Sequence, residues 1–243
     1  MIEIENLYKS FKDKKVLLGV NLTITRGETI AIIGRSGCGK SVLLKHIVGL
    51  LEPDSGLVKV EGLVIKDLDK KDLYRIRRKF GFLFQGAALF DSMTVEENVS
   101  LPLAESGEKL PPAKIASMVE EKLNLVGLAN TQSLKPAELS GGMKKRVALA
   151  RALVTNPEYI LYDEPTTGLD PVMSDSIDEL IRDLSVKLNV TSIVVTHDMF
   201  SVKKTSDRIA MMHDGIIYFS GTQDDFLNSN DDVIVNFIKR TNF

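Results

Sequence analysis

The 243-residue sequence predicts an α/β fold: a mainly parallel sheet covered by helices on both sides, an antiparallel β subdomain at the start, and an inserted helical subdomain. Three observations carry that expectation. The runs TIAIIG (29–34), YILYD (159–163) and TSIVVTH (191–197) are apolar without alternation, as strands buried on both faces are. Helical patterns separate them, and strands alternating with helices build a parallel sheet. The first 24 residues instead alternate apolar with polar, as antiparallel strands with one wet face do.

Taken in order, Ile2, Ile4 and Leu7 open the chain, and VLLGVNLTI (16–24) follows, with polar turns at KDKK and TRGE. After TIAIIG, residues Val42, Leu43, Leu44, Ile47 and Val48 recur at helical spacing. From about 90 to 157 the pattern is mostly helical and holds no comparable apolar strand, as expected of an insertion into the sheet domain. Over 174–187, Ile177, Leu180, Ile181 and Leu184 share one helical face. In the tail DDVIVNFIKR (231–240), Val233, Ile234, Phe237 and Ile238 keep helical spacing, so it should pack on a neighbouring surface. The expected organisation is one domain over 1–243. Within it, 1–89 and 158–222 form the core with its N-terminal β subdomain, 90–157 the helical subdomain and 223–243 a helical tail. No internal repeat or low-complexity tract breaks this order.

Composition narrows the function classes. Net charge is −2 and charged residues make up 26%, so no strong positive field advertises nucleic acid. The single Cys38 excludes an internal disulfide and suggests a reducing compartment. No basic-then-apolar signal follows Met1, and no apolar run approaches the roughly 20 residues of a membrane-spanning helix. The expectation is a soluble protein whose membrane role, if it has one, comes through a partner.

Five stretches and one aromatic residue carry chemistry. In GRSGCGKS (34–41), Gly34, Arg35, Ser36, Gly37, Cys38, Gly39, Lys40 and Ser41 follow a buried strand and lead into an apolar helix at Val42. This is a phosphate-binding loop. Its N–H groups face phosphates, Lys40 neutralises β/γ oxygens, and the Ser41 hydroxyl can hold Mg²⁺. The sheet domain is therefore expected to be a P-loop NTPase. YILYDEP ends a buried strand in two acids: Asp163 for Mg²⁺, and Glu164 to polarise an attacking water. His197 leaves a third strand at the same sheet edge, where a γ-phosphate contact is expected. Gln85 ends the shorter run GFLFQ and would touch Mg²⁺ or the lytic water. Phe11, with Tyr8 as the fallback, would stack on a base. LSGGM (139–143) reads as a second anion site, with Ser140 as N-cap and Gly141 and Gly142 leaving the helix end open to a ligand.

The ordered set GRSGCGKS, FLFQ, LSGGM, YILYDEP, TTGLD and VVTHD resembles the nucleotide-binding subunit of an ABC transporter across essentially the whole chain. That resemblance implies ATP and Mg²⁺ as cofactors, ATP hydrolysis, and a homodimer clamped around ATP and fed by integral-membrane permease subunits. It assigns Gln85 to the Q-loop, 139–143 to the signature, Asp163 and Glu164 to the Walker B pair, 167–170 to the D-loop and His197 to the H-loop. In a two-fold dimer, Ser140, Gly141 and Gly142 would meet the γ-phosphate held by the other copy, with Asp170 at the seam. Met143 departs from the family's usual glutamine. It cannot donate a hydrogen bond, but it fits a helix face with Val147, Ala150 and Val154.

Two stretches resemble one branch. SGGMKKRVALARAL and LFQGAALFDSMTVEENVSLPL (83–103) are similar to the ATPases of MCE-associated, Mla-type phospholipid transporters. This implies an MCE-domain lipid-binding protein among the partners and a peripheral position on the cytoplasmic face of the inner membrane. The patch 87–90 would wall the groove that receives a permease helix. RIRRK (75–79) reads as a solvated helix face rather than a lipid contact. The alternative within the family is an importer of amino acids or other small polar solutes. A soluble ABC-type ATPase acting on nucleic acid or the ribosome is disfavoured by the balanced charge and the lack of a long coiled-coil insertion or a second fused ATPase domain.

Overall fold

The alternation at the start becomes two long antiparallel strands, β1 (Ile2–Phe11) and β2 (Lys14–Ile24). The computed structural model describes residues 1–105 and 109–241. Ile2, Ile4 and Leu7 all face the core, although their spacing breaks period two. A bulge absorbs the extra residue: Asn6 takes φ 47° and its N–H donates to Asn21 Oδ1 at 2.9 Å. β4 (Ser55–Val60) and β5 (Leu63–Val64) complete a four-stranded sheet in the order β2-β1-β4-β5.

The second sheet has six strands, in the order β10-β9-β3-β8-β7-β6. β3 (Thr29–Ile33), β6 (Phe80–Leu83), β7 (Tyr159–Asp163), β8 (Thr191–Val195) and β9 (Arg208–His213) run parallel, and only β10 (Ile216–Thr222) is antiparallel. Its strands serve separate cores on opposite faces, which is why they read as continuous apolar runs. Ile30, Ile32, Tyr159 and Leu161 pack with the first sheet. Ile160, Tyr162 and Val194 pack with the helical layer, and Ala31 and Ile33 with Met199, Phe226 and Phe237.

The helices follow local signals. α1 (Lys40–Ile47) leaves the Gly-rich loop directly, and α2 (Lys70–Arg77) is capped by Asp69. α3 (Val95–Glu105), α4 (Pro112–Leu125) and α5 (Gly141–Leu153) pack on one another in the expected helical region. α6 (Pro171–Leu188) starts three residues before the sequence pattern predicts. Asp170 Oδ1 accepts from the N–H groups of Val172 and Met173, and proline suits the first helical position. α7 (Met199–Thr205), α8 (Gln223–Leu227) and α9 (Asp232–Arg240) finish the chain, and Ile234 and Phe237 bury the α9 face as expected. No helix among the described residues is long and apolar enough to cross a membrane.

Sequence reasoning did not identify β4, β5, β9 or β10. The signal for the last pair was present: RIAMMH-DG-IIYFSGT sets an Asp-Gly turn between two apolar runs, and Asp214 and Gly215 both take positive φ, 45° and 80°.

The basic run is largely exposed, as expected, and it also makes specific contacts. Arg77 donates to the carbonyls of Val48 and Gly49 at 3.1 and 2.6 Å, satisfying the end of α1. Arg75 pairs with Asp72, and Lys79 with Glu61 and Glu158. Arg75, Arg77 and Arg78 remain exposed, and Arg77 in addition ties α2 to the end of α1, whose C-terminal carbonyls need a donor from outside that helix.

Gly81 lets β6 lie against α5: a Cβ there would sit 2.5 Å from Ala152 O, which is backbone and cannot yield cheaply. Gly81→Ala is expected to cost about 1–3 kcal/mol in denaturant unfolding. A second expectation concerns Asp178, a 3% exposed acid on α6 with one oxygen unpartnered. Burial pushes its carboxyl up to about 6. The folded state therefore binds the proton more tightly than the unfolded chain does. Stability falls as pH rises from the unfolded value near 4 through 6, and the penalty persists above that. Asp178→Asn should gain on the order of 2 kcal/mol over wild type at pH 7.5 and nothing at pH 4, read as a pH series of melting curves.

Candidate functional site

Parallel strands deliver their following loops to one edge, and β3, β6, β7 and β8 send the sequence-predicted residues there. The loop over 34–39 turns tightly after β3. Gly39 takes φ 107°, and a Cβ on it would lie 2.9 Å from a Leu17 methyl. Lys40 then opens α1 almost wholly buried, 6% exposed, and its Nζ donates to the carbonyls of Gly34 at 2.8 Å and Arg35 at 3.2 Å. The loop thus holds its own ammonium. Phosphate oxygens would replace neutral carbonyls with charged acceptors, which bind an ammonium more strongly.

Ser41 Oγ donates to Asp163 Oδ1 at 3.0 Å, which joins the start of α1 to the end of β7. Burial, and secondarily the neighbouring Glu164, push the Asp163 carboxyl above its ordinary value; the Ser41 bond and Lys40 act against that. A hydroxyl and a carboxylate, both hard oxygen donors, facing one another where the environment penalises negative charge, fit a Mg²⁺ ion.

Glu164 holds an unusual backbone for a residue with a side chain, φ 52° in the left-handed region. Its N–H donates to Val195 O at 2.9 Å, which fastens the end of β7 to the end of β8. Its Oε2 lies 2.7 Å from His197 Nδ1 and accepts from Thr167 Oγ1 at 3.1 Å. In that contact Nδ1–H donates and the carboxylate accepts.

A cavity of about 430 Å³ collects Phe11, Ser36, Gly37, Gly39, Lys40, Ser41, Val42, Gln85 and Glu164, along with Lys14 and Val16. Phe11 stands at its rim, 42% exposed at the end of β1. Tyr8, the fallback, does not reach this cavity, because its ring covers Gly19, where a Cβ would meet the hydroxyl at 2.7 Å. Arg35 and Cys38 line a neighbouring depression beside Asp214, and burial pushes the Cys38 thiol up, against the pull of Lys40. His197 lines a second cavity, reached from the other side of Glu164.

Ser140 and Gly141 are exposed at the start of α5, and together with Gly142 they line neither cavity of their own chain. Ser140 Oγ accepts from Met143 N at 3.3 Å, so the residue caps its own helix. Gly142 is buried: a Cβ there would lie 1.9 Å from Met173 Cε. Its missing side chain serves the packing of α5 on α6, not the open approach expected from the sequence. Met143 packs partly buried against the core that contains Val147, Ala150 and Val154.

Sequence reasoning missed two cations that hold the Gln85 loop. Lys145 is buried on α5, and its Nζ donates to the Gln85 carbonyl. Arg151, one and a half turns on, donates to Ala87 O and Ala88 O at 2.7 Å each. Those alanines adopt φ 61° and 49°, a strained pair that the guanidinium fixes. Burial lowers the Lys145 pKa, while Glu164 and Asp163 draw it back up. The overlooked signal was a lysine on the same helical face as Ala148, Leu149 and Ala152, all buried.

Comparison with known proteins gives the site its context. The family model described as "ABC transporter" matches residues 17–167. The "probable ribonucleotide transport ATP-binding protein mkl" of Mycobacterium tuberculosis is 40% identical over 237 residues, covering 98% of this chain and 66% of the relative. The methionine import ATP-binding protein MetN of Brucella abortus is 39% identical, over 91% of this chain and 59% of the relative. The chain thus spans about two thirds or less of the length of these relatives. Among solved structures, the dimeric cassette MJ0796 in a post-hydrolysis state bound to ADP and Pi superposes with a TM-score of 0.83 at 36% identity, over 91% of this chain and 98% of that one. The cbiO1 subunit of the cbiONQ transporter complex from Clostridium perfringens gives 0.85 at 32% identity, over 98% and 94%. With the phosphate loop, the paired acids and the histidine turn gathered at one sheet edge, the chain belongs to the ABC transporter family, as an ATP-binding cassette that uses Mg²⁺ and hydrolyses ATP.

Proposed function

We propose that this chain powers a membrane lipid transporter of the MCE-associated, Mla type, working as a head-to-tail homodimer on integral-membrane permease subunits at the cytoplasmic face of the inner membrane. The observation that carries the catalytic part is the Glu164–His197 pair, 2.7 Å apart and bordering the cavity that holds Lys40 and Ser41. Lys40 and the N–H groups of 34–41 grip the phosphates, and Phe11 stacks on the base. Ser41 and Asp163, with Gln85, would hold Mg²⁺, which when bound would supply positive charge beside the β/γ oxygens. Glu164 orients the attacking water and accepts its proton. His197 steadies Glu164 through Nδ1 and presents its other ring nitrogen toward the γ-phosphate.

Ser140, Gly141 and Gly142 act on the other copy's nucleotide. Ser140 and Gly141 are exposed, none of the three lines the nucleotide cavity of its own chain, and they sit at the start of a 13-residue helix whose N–H groups favour an anion. The dimeric state of MJ0796 supports a clamp of this kind. The permease docks in a groove of about 390 Å³ lined by Phe82, Phe84, Ala88, Phe90, Leu101 and Pro102, where Phe90 is 51% exposed. Lipid contacts the permease and not this chain.

Support for a lipid cargo comes from the resemblance of the Met143 signature and the 83–103 segment to that branch. The likeness to MetN supports the second reading, import of a small polar solute such as an amino acid. Purification from membranes with its partners, followed by mass spectrometry of bound lipid, separates them. An MCE-domain partner and co-purifying phospholipid uphold the first reading; a solute-binding receptor and no lipid uphold the second.

Two further outcomes are expected. Glu164→Gln should bind ATP and accumulate as a dimer while steady-state hydrolysis drops by about a hundredfold or more; wild-type turnover would overturn the role given to Glu164. Phe90→Asp should abolish capture of the permease and leave ATP affinity within about twofold, measured by pull-down and nucleotide titration.

A further inference from the structure

The second cavity, about 590 Å³, lies beyond Glu164 and His197, and its wall includes a polar cluster that the reaction above leaves unused. At its centre is Ser201 of α7, fully buried. Ser201 Oγ donates to Asp178 Oδ2 at 2.7 Å, and it lies 3.4 Å from both Asp198 Oδ2 and Thr166 Oγ1. Asp178 Oδ1 has no partner among the described residues.

These partners come from three places that matter. Thr166 is two residues past Glu164, Asp198 is the residue after His197, and Asp178 stands on α6, behind both. One hydroxyl therefore touches both backbone segments that carry the Glu164–His197 pair. Its single proton has one direction: the short bond to Asp178 takes it, which leaves the Ser201 lone pairs to accept from Thr166. The result is a donor chain from Thr166 through Ser201 to Asp178. Asp198 is already engaged, its Oδ1 capping α7 through Phe200 N at 2.9 Å, while its N–H is held by Thr196 Oγ1 at 3.0 Å.

The segment needs such a fixture. Glu164 sits in a backbone region that a side-chain-bearing residue holds only when its surroundings impose it. A buried acid with a bare oxygen is a poor stabiliser of the fold, and an apolar residue of similar volume would fill the same space more cheaply.

We propose that Asp178, acting through Ser201, is a positioning residue that sets the loop after Glu164 against the turn after His197 and so fixes how the two meet. The proposal rests on Glu164 and His197 being the catalytic pair.

The test uses the full chain, steady-state ATPase assays and direct ATP titration. Ser201→Ala and Asp178→Ala should each lower kcat about tenfold with ATP affinity within twofold, because misplacing the pair affects chemistry and not ground-state binding. Asp178→Asn, whose amide oxygen still accepts from Ser201, should restore kcat to within about twofold of wild type. The Ser201→Ala/Asp178→Ala double variant should be no slower than either single one, since both remove the same contact. Wild-type kcat in Ser201→Ala, an Asp178→Asn variant as slow as Asp178→Ala, additive losses, or a fall in ATP affinity matching the fall in rate would each overturn the proposal. Should Asp178→Ala fail to fold, Ser201→Ala and Asp178→Asn decide it alone. Glu164→Gln is assayed in parallel: if it turns over normally, the reading of the pair fails; if it is inactive while Ser201→Ala is unimpaired, only the positioning role fails.

Discussion

The arrangement of the site depends on one backbone constraint, the left-handed residue at the end of β7. A strand ending in ordinary extended geometry would send Glu164 on along the sheet. At φ 52° the chain instead turns back, its N–H bonds to Val195 O, and the carboxylate comes to rest against His197 from the neighbouring strand. Asp163, one residue earlier, still has strand geometry and faces Ser41. Two adjacent acids are thereby sent to two tasks, one toward the phosphate loop and one between the cavities. The strain of that turn, on the order of 1 kcal/mol, has to be offset by the bonds that converge on it from Val195, Thr167 and His197.

A large part of this was legible in the sequence because the signals are local. Unbroken apolar runs gave β3, β7 and β8; the Gly-Lys-Ser loop had to follow a strand; Ser140 announced a helix start that the structure contains. What escaped depends on long-range contact. Lys145 reaches a carbonyl 60 residues away, and Asp178 meets a serine on another helix. A charged residue on a buried helix face marks such a position, but the sequence does not say which distant group it will meet. Edge strand β10 was missed for a different reason: its alternating half-exposed pattern is weak, although the Asp214–Gly215 turn before it was a fair clue.

α5 links regions that look separate in the sequence. Its first turn carries Ser140 and Gly141, its second turn fixes Gln85 through Lys145, and its third fixes Ala87 and Ala88 through Arg151 at the wall of the groove that Phe84 and Phe90 line. These contacts fix the Gln85 loop and the groove wall to one helix, so their spacing is set by its geometry. Burying Lys145 and Arg151 is electrostatically unfavourable, and both ammonium and guanidinium are compensated by backbone carbonyls held at fixed positions.

The lysine at the head of α1 has a thermodynamic corollary. Its ammonium is coordinated by the loop's own carbonyls, so the buried charge is satisfied from within the loop. Nucleotide must compete with these internal ligands, so the measured affinity is a difference between two satisfied arrangements and not the full strength of one. Such an exchange keeps occupancy reversible, and it lets spent product depart without leaving a naked buried charge behind.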